Sequence, residues 1–177
     1  MLPVSIDQPG LGRKSSLELK RRTEMSNNEL EIKDRKEIES IIQQAQVCRI
    51  GFLAEDVPYI VPMNFGYKDN CLYFHTATKG RKLDIIRRHS KVGFAIDIHS
   101  QIVKPTTPPC GWGIKYRSVI GVGQAFIIEG LQEKSAALNI LTQHYGADWY
   151  DFSEKELEGV CVIKIVISSM TGRKAEY

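Results

Sequence analysis

At 177 residues and 42% hydrophobic, the chain fits one compact domain with a sizeable core. A net charge of +3, with basic residues dispersed over Lys20–Arg22, Lys79–Lys82 and Arg87-Arg88, is too weak and scattered for nucleic acid as the main partner. No apolar run approaches the roughly 20 residues of a membrane span, and no apolar secretory segment opens the chain, so a cytoplasmic protein with no membrane partner is expected.

Residues 1–28 mix Pro, Gly, Ser and charge without a sustained period. They read as a flexible leader with scope for a helical turn near Leu17–Met25, followed by one domain over residues 29–177. Asp34 and Glu37 resemble a capping box ahead of Ile38, Ile41 and Ile42, which predicts an amphipathic helix to about Gln46. Strands follow at Val47–Leu53 and Tyr59–Tyr67. Pro62 and Gly66 suit the second of these to a sheet edge or a bulge. Lys68-Asp69-Asn70 predicts a tight hairpin into a strand over Cys71–Thr76. A helix is expected over Arg81–His89, then a strand over Val92–His99, where Val92, Phe94, Ile96 and Ile98 alternate with small or polar residues. Ser100–Lys115, rich in Pro and Gly, has little period and reads as a functional loop. Arg117–Ile128 is a long strand, Leu131–Tyr145 an amphipathic helix, and Val160–Ser168 a strand apolar on both faces. This order predicts a mainly β fold with α (α+β): an antiparallel barrel with flanking helices. The paired glycines Gly111–Gly113 and Gly121–Gly123 do not open a helix after a strand, which excludes the dinucleotide fingerprint.

Chemistry concentrates where the strand Cys71–Thr76 passes through Ala77-Thr78-Lys79-Gly80 into Arg81-Lys82. Cations in a first helical turn face the positive end of the helix dipole, which disfavours each by about 0.3–1 kcal/mol. A bound phosphate would reverse that penalty, because helix N–H groups, Thr hydroxyls and two cations would then converge on an anion. A solvated basic helix end is the competing explanation. The cysteines Cys48, Cys71, Cys110 and Cys161 are far apart, and no CxxC pair exists. Cys71 and His75 share a strand face, but no second ligand pair accompanies them, so no metal site is expected.

The ordered series Val61-Pro62-Met63-Asn64-Phe65-Gly66-Tyr67, Leu72-Tyr73-Phe74-His75-Thr76-Ala77, Gly80-Arg81-Lys82, Cys110-Gly111-Trp112-Gly113 and Tyr116-Arg117-Ser118-Val119-Ile120-Gly121-Val122-Gly123 resembles the flavin-binding split-barrel superfamily that includes pyridoxamine 5′-phosphate oxidases. It is most similar to the nitroimidazole-resistance (Nim-type) branch, over about Met25 to Lys174. The resemblance implies a six-stranded antiparallel split β-barrel, a homodimer, and FMN in a groove at the dimer interface. Arg81 and Lys82 match the grip on the FMN phosphate, with Thr76, Ala77, Thr78 and Gly80 beside them. Pro62, Met63, Asn64 and Phe65 match the strand along the isoalloxazine. Arg117 and Ser118 match a strand that approaches the flavin from the partner subunit, and His75 matches a His near flavin and substrate.

The residues themselves leave some of these roles open. Backbone groups freed beside Pro62 can bond a flavin edge, yet Pro62 equally protects a strand edge from aggregation. His75 reads as a structural residue or as a proton donor, since imidazole exchanges protons near neutral pH. Trp112 and Tyr116 wall a ring face or cap the barrel core. The C-terminal Ser168–Tyr177 lacks the Arg-Leu-x-Pro segment of true pyridoxamine phosphate oxidases, which argues against vitamin B6 oxidation. The expectation is therefore an FMN-dependent oxidoreductase passing electrons from a nicotinamide donor to a small acceptor such as a nitroaromatic. The alternatives are a flavin- or haem-binding module for sensing, storage or carriage, with His75, His89, His99 or His144 as axial ligands, and a deazaflavin-dependent reductase.

Overall fold

Asp34 starts the first helix by accepting the Lys36 N–H at 2.9 Å. The computed structural model describes residues 30–104 and 112–175; the expected leader, residues 1–28, lies outside them. Helix α1, Arg35–Gln44, buries Ile38, Ile41 and Ile42. Glu37 does not return a bond to Asp34 as a capping box would. Its carboxylate instead accepts from Lys174 Nζ at 2.9 Å, tying the helix to the last strand.

The remaining elements are β1 (Glu31–Ile32), β2 (Cys48–Ala54), β3 (Val57–Met63), β4 (Gly66–Lys68), β5 (Cys71–Thr76), α2 (Arg81–Arg88), β6 (Lys91–Val103), β7 (Gly113–Ile128), α3 (Leu131–His144), α4 (Glu154–Glu158) and β8 (Cys161–Ala175). All strand pairs are antiparallel. The sheet runs β3-β2-β6-β7-β8-β5-β4, with β1 on β8, and this path does not close on itself. Eight strands thus replace the six expected from the resemblance. The additions are β1 and β4, of two and three residues, too short to show a period of two. β4 arises because the expected strand Tyr59–Tyr67 breaks at Asn64-Phe65. Pro58 and Pro62 both sit on β3, at the sheet edge, where a missing N–H is tolerated.

The β4–β5 hairpin turns on Asp69 and Asn70, both at positive φ, the geometry that matches strand twist in two-residue hairpins. Asn70 adds a side-chain bond to the Ile167 carbonyl at 2.9 Å. β6 and β7 continue past the expected loop boundaries: Gln101 pairs with Lys115, and Val103 with Gly113. Only residues 105–111 of that loop fall outside the described chain. A bulge between Ile98 and Gln101 breaks the alternation there and hides the strand from a period-two reading.

The main core gathers Phe65, Phe74, Ile50, Ile96, Val119, Ile163 and Ile165, with α1 and α2 contributing Ile41, Ile42 and Leu83. A second cluster under α3 and α4 joins Leu138, Leu157 and Val162. β5 and β8 therefore bury side chains toward both, Phe74 and Ile163 one way, Tyr73 and Val162 the other. Cys48 is buried, and burial pushes its thiol up to about 12, so it acts as a small core hydrophobe rather than a nucleophile. No helix among the described residues is long and apolar enough to cross a membrane.

Candidate functional site

The end of β5 delivers His75, exposed, and Thr76, half-buried, to the turn before α2. Gly80 is the residue before the helix, at φ 140° and ψ 165°, a conformation other residues rarely adopt, and no side chain caps the helix N-terminus there. Arg81 and Lys82 then occupy the first two helical positions. Asp84 is committed to Arg87 at 3.1 Å, and no described carboxylate pairs with Arg81 or Lys82. The Arg81 guanidinium lies 4.7 Å from the centre of the Tyr59 ring, on β3. It lines a cleft of about 390 Å³ between α2 and the β2–β3 turn, with Leu53, Val57, Ile85, Arg88 and His89. Lys82, one position on and about 100° around the helix, does not line that cleft.

The edge strand supplies the second group. Pro62 is exposed on the outer face and pairs in register with Arg49. Met63 packs half-buried on the core, and Asn64 is exposed. Phe65 is fully buried, with its ring centre 4.5 Å from that of His144. Its N–H donates to Tyr145 Oη at 2.9 Å, and Tyr145 Oη donates to the Gln46 carbonyl at 2.7 Å. Partial burial raises the Tyr145 phenol above its ordinary value, which keeps it a donor. His144 Nε2 meets the Ala45 carbonyl at 2.7 Å and must carry its proton there, leaving the buried Nδ1 without a partner among the described residues. The end of α3 thus clamps both the α1–β2 link and the break after β3. Phe65 is part of that scaffold, and its N–H is already used.

The third group lies on β7. Arg117 and Ser118 are neighbours on one strand and so face opposite sides of the sheet. Ser118 stands across from Asp97 on β6 and Arg173 on β8, on the outer face. Arg117 stands across from Lys174, and its guanidinium lies 3.9 Å from Glu37 on α1. Trp112 is exposed, with Lys104 Nζ 4.9 Å from its ring centre. Ala77 is exposed in the β5–α2 turn. The structure therefore brings Pro62 and Ser118 to one outer face, linked by an Arg49–Asp97 ion pair, and keeps Arg117 on the other face. Arg49, Asp97 and Tyr59 escape the sequence reading because only the strand order shows which residues are their neighbours. Cys71 and His75 do share a face of β5, but no three His, Cys, Asp or Glu side chains converge among the described residues.

Residues 34–174 match the sequence profile described as pyridoxamine 5′-phosphate oxidase. The chain belongs to that family. A search of curated proteins returns no match. Among solved structures, a protein from Bacteroides thetaiotaomicron assigned to 5-nitroimidazole antibiotic resistance is 34% identical, with 81% of this chain and 85% of that one covered and a TM-score of 0.72. The flavocytochrome Anf3 of Azotobacter vinelandii, at 18% identity, covers 85% and 72% with a TM-score of 0.75. An FAD and haem binding protein of Mycobacterium smegmatis, at 17%, covers 83% and 74% with a TM-score of 0.74. The last two show that this oxidase-family chain shares their fold.

Replacing Tyr145 with Phe removes the hydroxyl that serves both Phe65 N–H and the Gln46 carbonyl. The variant is expected to lose about 1–3 kcal/mol of folding stability, read from the urea midpoint at unchanged slope. An unaltered midpoint would show that water replaces the hydroxyl at no cost.

Proposed function

We propose that this chain is an FMN-dependent oxidoreductase of Nim type that works as a homodimer. The observation that supports this best is the pair of cations, without carboxylate partners, on the uncapped N-terminus of α2, directly after Thr76 and Gly80. A helix end of that kind favours a phosphate twice over, through its free N–H groups and through charge-assisted bonds. Lys82 and the backbone of Gly80 would hold the phosphate, and Arg81, stacked on Tyr59, would set its side of the grip. The open edge of β3 beside Pro62, Met63 and Asn64 offers unpaired backbone groups for the polar edge of the ring. Ser118, Arg49 and Arg173 lie on the outer face with Pro62. Arg117, matched to the flavin site by the resemblance, would have to act from the partner subunit. His75, exposed at the strand end, is the proposed proton donor, and Trp112 would line the acceptor pocket. FMN, once bound, supplies the hydride and electron chemistry, and the protein's part is to orient it and exclude water.

The dimer rests on a separate feature. Leu53, Ile60, Ile120 and Val122 are 49%, 66%, 52% and 40% exposed. All four project from the outer face of the β3-β2-β6-β7 sheet, across a floor left flat by Gly51 and Gly93. An apolar surface of that continuity suits a second copy of the chain, which would bring two outer faces together around the cofactor. The haem reading is weaker, because His144 spends Nε2 on Ala45, and His75, His89 and His99 are exposed on separate elements.

Protein purified without added cofactor is expected to show flavin absorption bands and to release FMN on denaturation. With a reduced nicotinamide it should then reduce at least one member of a nitroaromatic and quinone panel. A Soret band without flavin, or bound FMN with no donor-dependent turnover, would overturn the enzyme reading. Changing Arg81 and Lys82 together to Ala should weaken FMN binding by about 1.5–3 kcal/mol for each charge-assisted bond lost; unchanged affinity would remove the phosphate from this place. Light scattering of the FMN-loaded protein should give twice the mass of the chain, whereas a monomer that still holds FMN would sink the interface.

A further inference from the structure

An ion pair interrupts the apolar strip on the outer face of the sheet. Arg49 on β2 and Asp97 on β6 both project outward and are joined through Arg49 Nη1 and Asp97 Oδ1. Arg49 lies between Pro62 on β3 and Ala95 on β6, with Ile120 beyond Ala95 on β7. Ile60 and Val122 occupy the neighbouring row, separated by Gly51 and Gly93. Val47, exposed one residue before the Cys48–Ile96 pair, lies on the Asp97 side. Apolar surface thus borders both charges.

On an open surface such a pair contributes little to folding, because water screens it. Its side chains are 47% and 41% exposed. One hydrogen bond joins the two groups, and neither has another partner among the described residues. Asp97 Oδ2 and the remaining guanidinium N–H groups are therefore unspent. Covering the apolar strip takes both charges out of water, which is costly unless those free atoms are answered. Whatever covers the strip must offer an acceptor to Arg49 and a donor to Asp97, at the spacing of the pair itself. A second copy meets that demand by symmetry. About a two-fold axis through the pair, Arg49 faces the partner's Asp97 and Asp97 faces the partner's Arg49. A cover of one sign, or of none, leaves at least one charge unanswered.

We infer that Arg49 and Asp97 are the recognition pair of the homodimer, joining the partner's Asp97 and the partner's Arg49 in a four-charge ring that sets the register of the two outer faces. The inference rests on the dimer reading, adds the residues that select the partner, and is independent of which cofactor the groove takes. Paired buried charge is weak ground for stability, and its best-attested use is specificity. The ring therefore acts on which chain is accepted. Pro62, beside Arg49, belongs to the strand edge proposed for the flavin ring, so the register carries directly to the groove.

The test uses the charge-exchanged variant Arg49→Asp/Asp97→Arg, which keeps an ion pair within each chain. Alone, this variant should dimerise as the wild type does. Wild-type and exchanged chains, one of them carrying a mass tag, are then co-expressed, and their dimers are counted by native mass spectrometry. Mixed dimers set cation against cation and carboxylate against carboxylate, and should be about tenfold scarcer than the statistical half that tagged and untagged wild type reach. Mixed dimers at or above the statistical half, or a folded exchanged chain that stays monomeric, would overturn the ring while the dimer stands. A monomeric wild type would remove the dimer and the ring together. Should the exchanged chain fail to fold, Asp97→Asn decides in its place. Loss of one partner should raise the dimer dissociation constant about tenfold or more by sedimentation, and an unchanged constant overturns the ring.

Discussion

The rest of the site depends on how the chain leaves the sheet edge after Met63. Asn64 and Phe65 link β3 to β4, which lie at opposite ends of the sheet path, so the chain turns away from the edge here, with Asn64 at the surface and Phe65 in the core. That turn breaks the ladder and would strand the Phe65 N–H, which Tyr145 satisfies from the end of α3. Gly66 then lets α3 come close: a side chain there would meet the Ile140 carbonyl and the Leu141 Cα at 2.6 Å. The helix end, the break and the α1–β2 link are thus fixed as a unit. β3 keeps one open side because its continuation, β4, has been moved to the far end of the sheet.

Opposite charge arrangements follow on the two faces. Outside, Arg49 is neutralised by Asp97, and the apolar strip of Leu53, Ile60, Ile120 and Val122 surrounds them. On the face toward α1, Glu37 is shared between Lys174 and Arg117, and its use there is why Asp34 caps the helix alone. At α2, the two first-turn cations lack even that degree of compensation. Asp97 and Arg117 lie within paired strands, whereas the α2 cations sit at a helix end where the regular backbone pattern stops. Free hydrogen-bonding groups and unbalanced charge can survive in such places without unfolding the core.

Much of the fold is legible in the sequence because the sheet is half-buried along most of its length. Val92 to Ile98 alternates because one face meets the core, and Asp69-Asn70 announces its hairpin because those residues tolerate positive φ. The β5–α2 junction is equally readable, since Gly80 followed by two cations is a local pattern. Elements that depend on partners are not readable. β8 runs on to Ala175 through Ser168-Ser169 and Arg173-Lys174, whose polar side chains give no period, because β7 and β1 pair with it there. The Arg49–Asp97 pair spans 48 residues and exists only because β2 lies beside β6. The division of Arg117 from Ser118 follows from strand alternation. Its meaning required knowing that α1 covers one face and that the other is bare.

Helix α2 shows why local frustration and function coincide here. Two cations at its start each cost about 0.3–1 kcal/mol against the dipole, and Gly80 contributes flexibility rather than a side-chain cap. The helix persists because Leu83, Ile85 and Ile86 are buried against the sheet, so packing outweighs the poor end. A neutral cap and a carboxylate in place of Arg81 would make a better helix and a worse anion site. Any anion that binds the folded chain alone raises its stability by mass action, so the penalty carried by the helix end becomes part of the free energy that couples ligand to fold. Packing under α2 and charge at its tip are therefore set by separate residues, one row facing the core and the other facing the ligand.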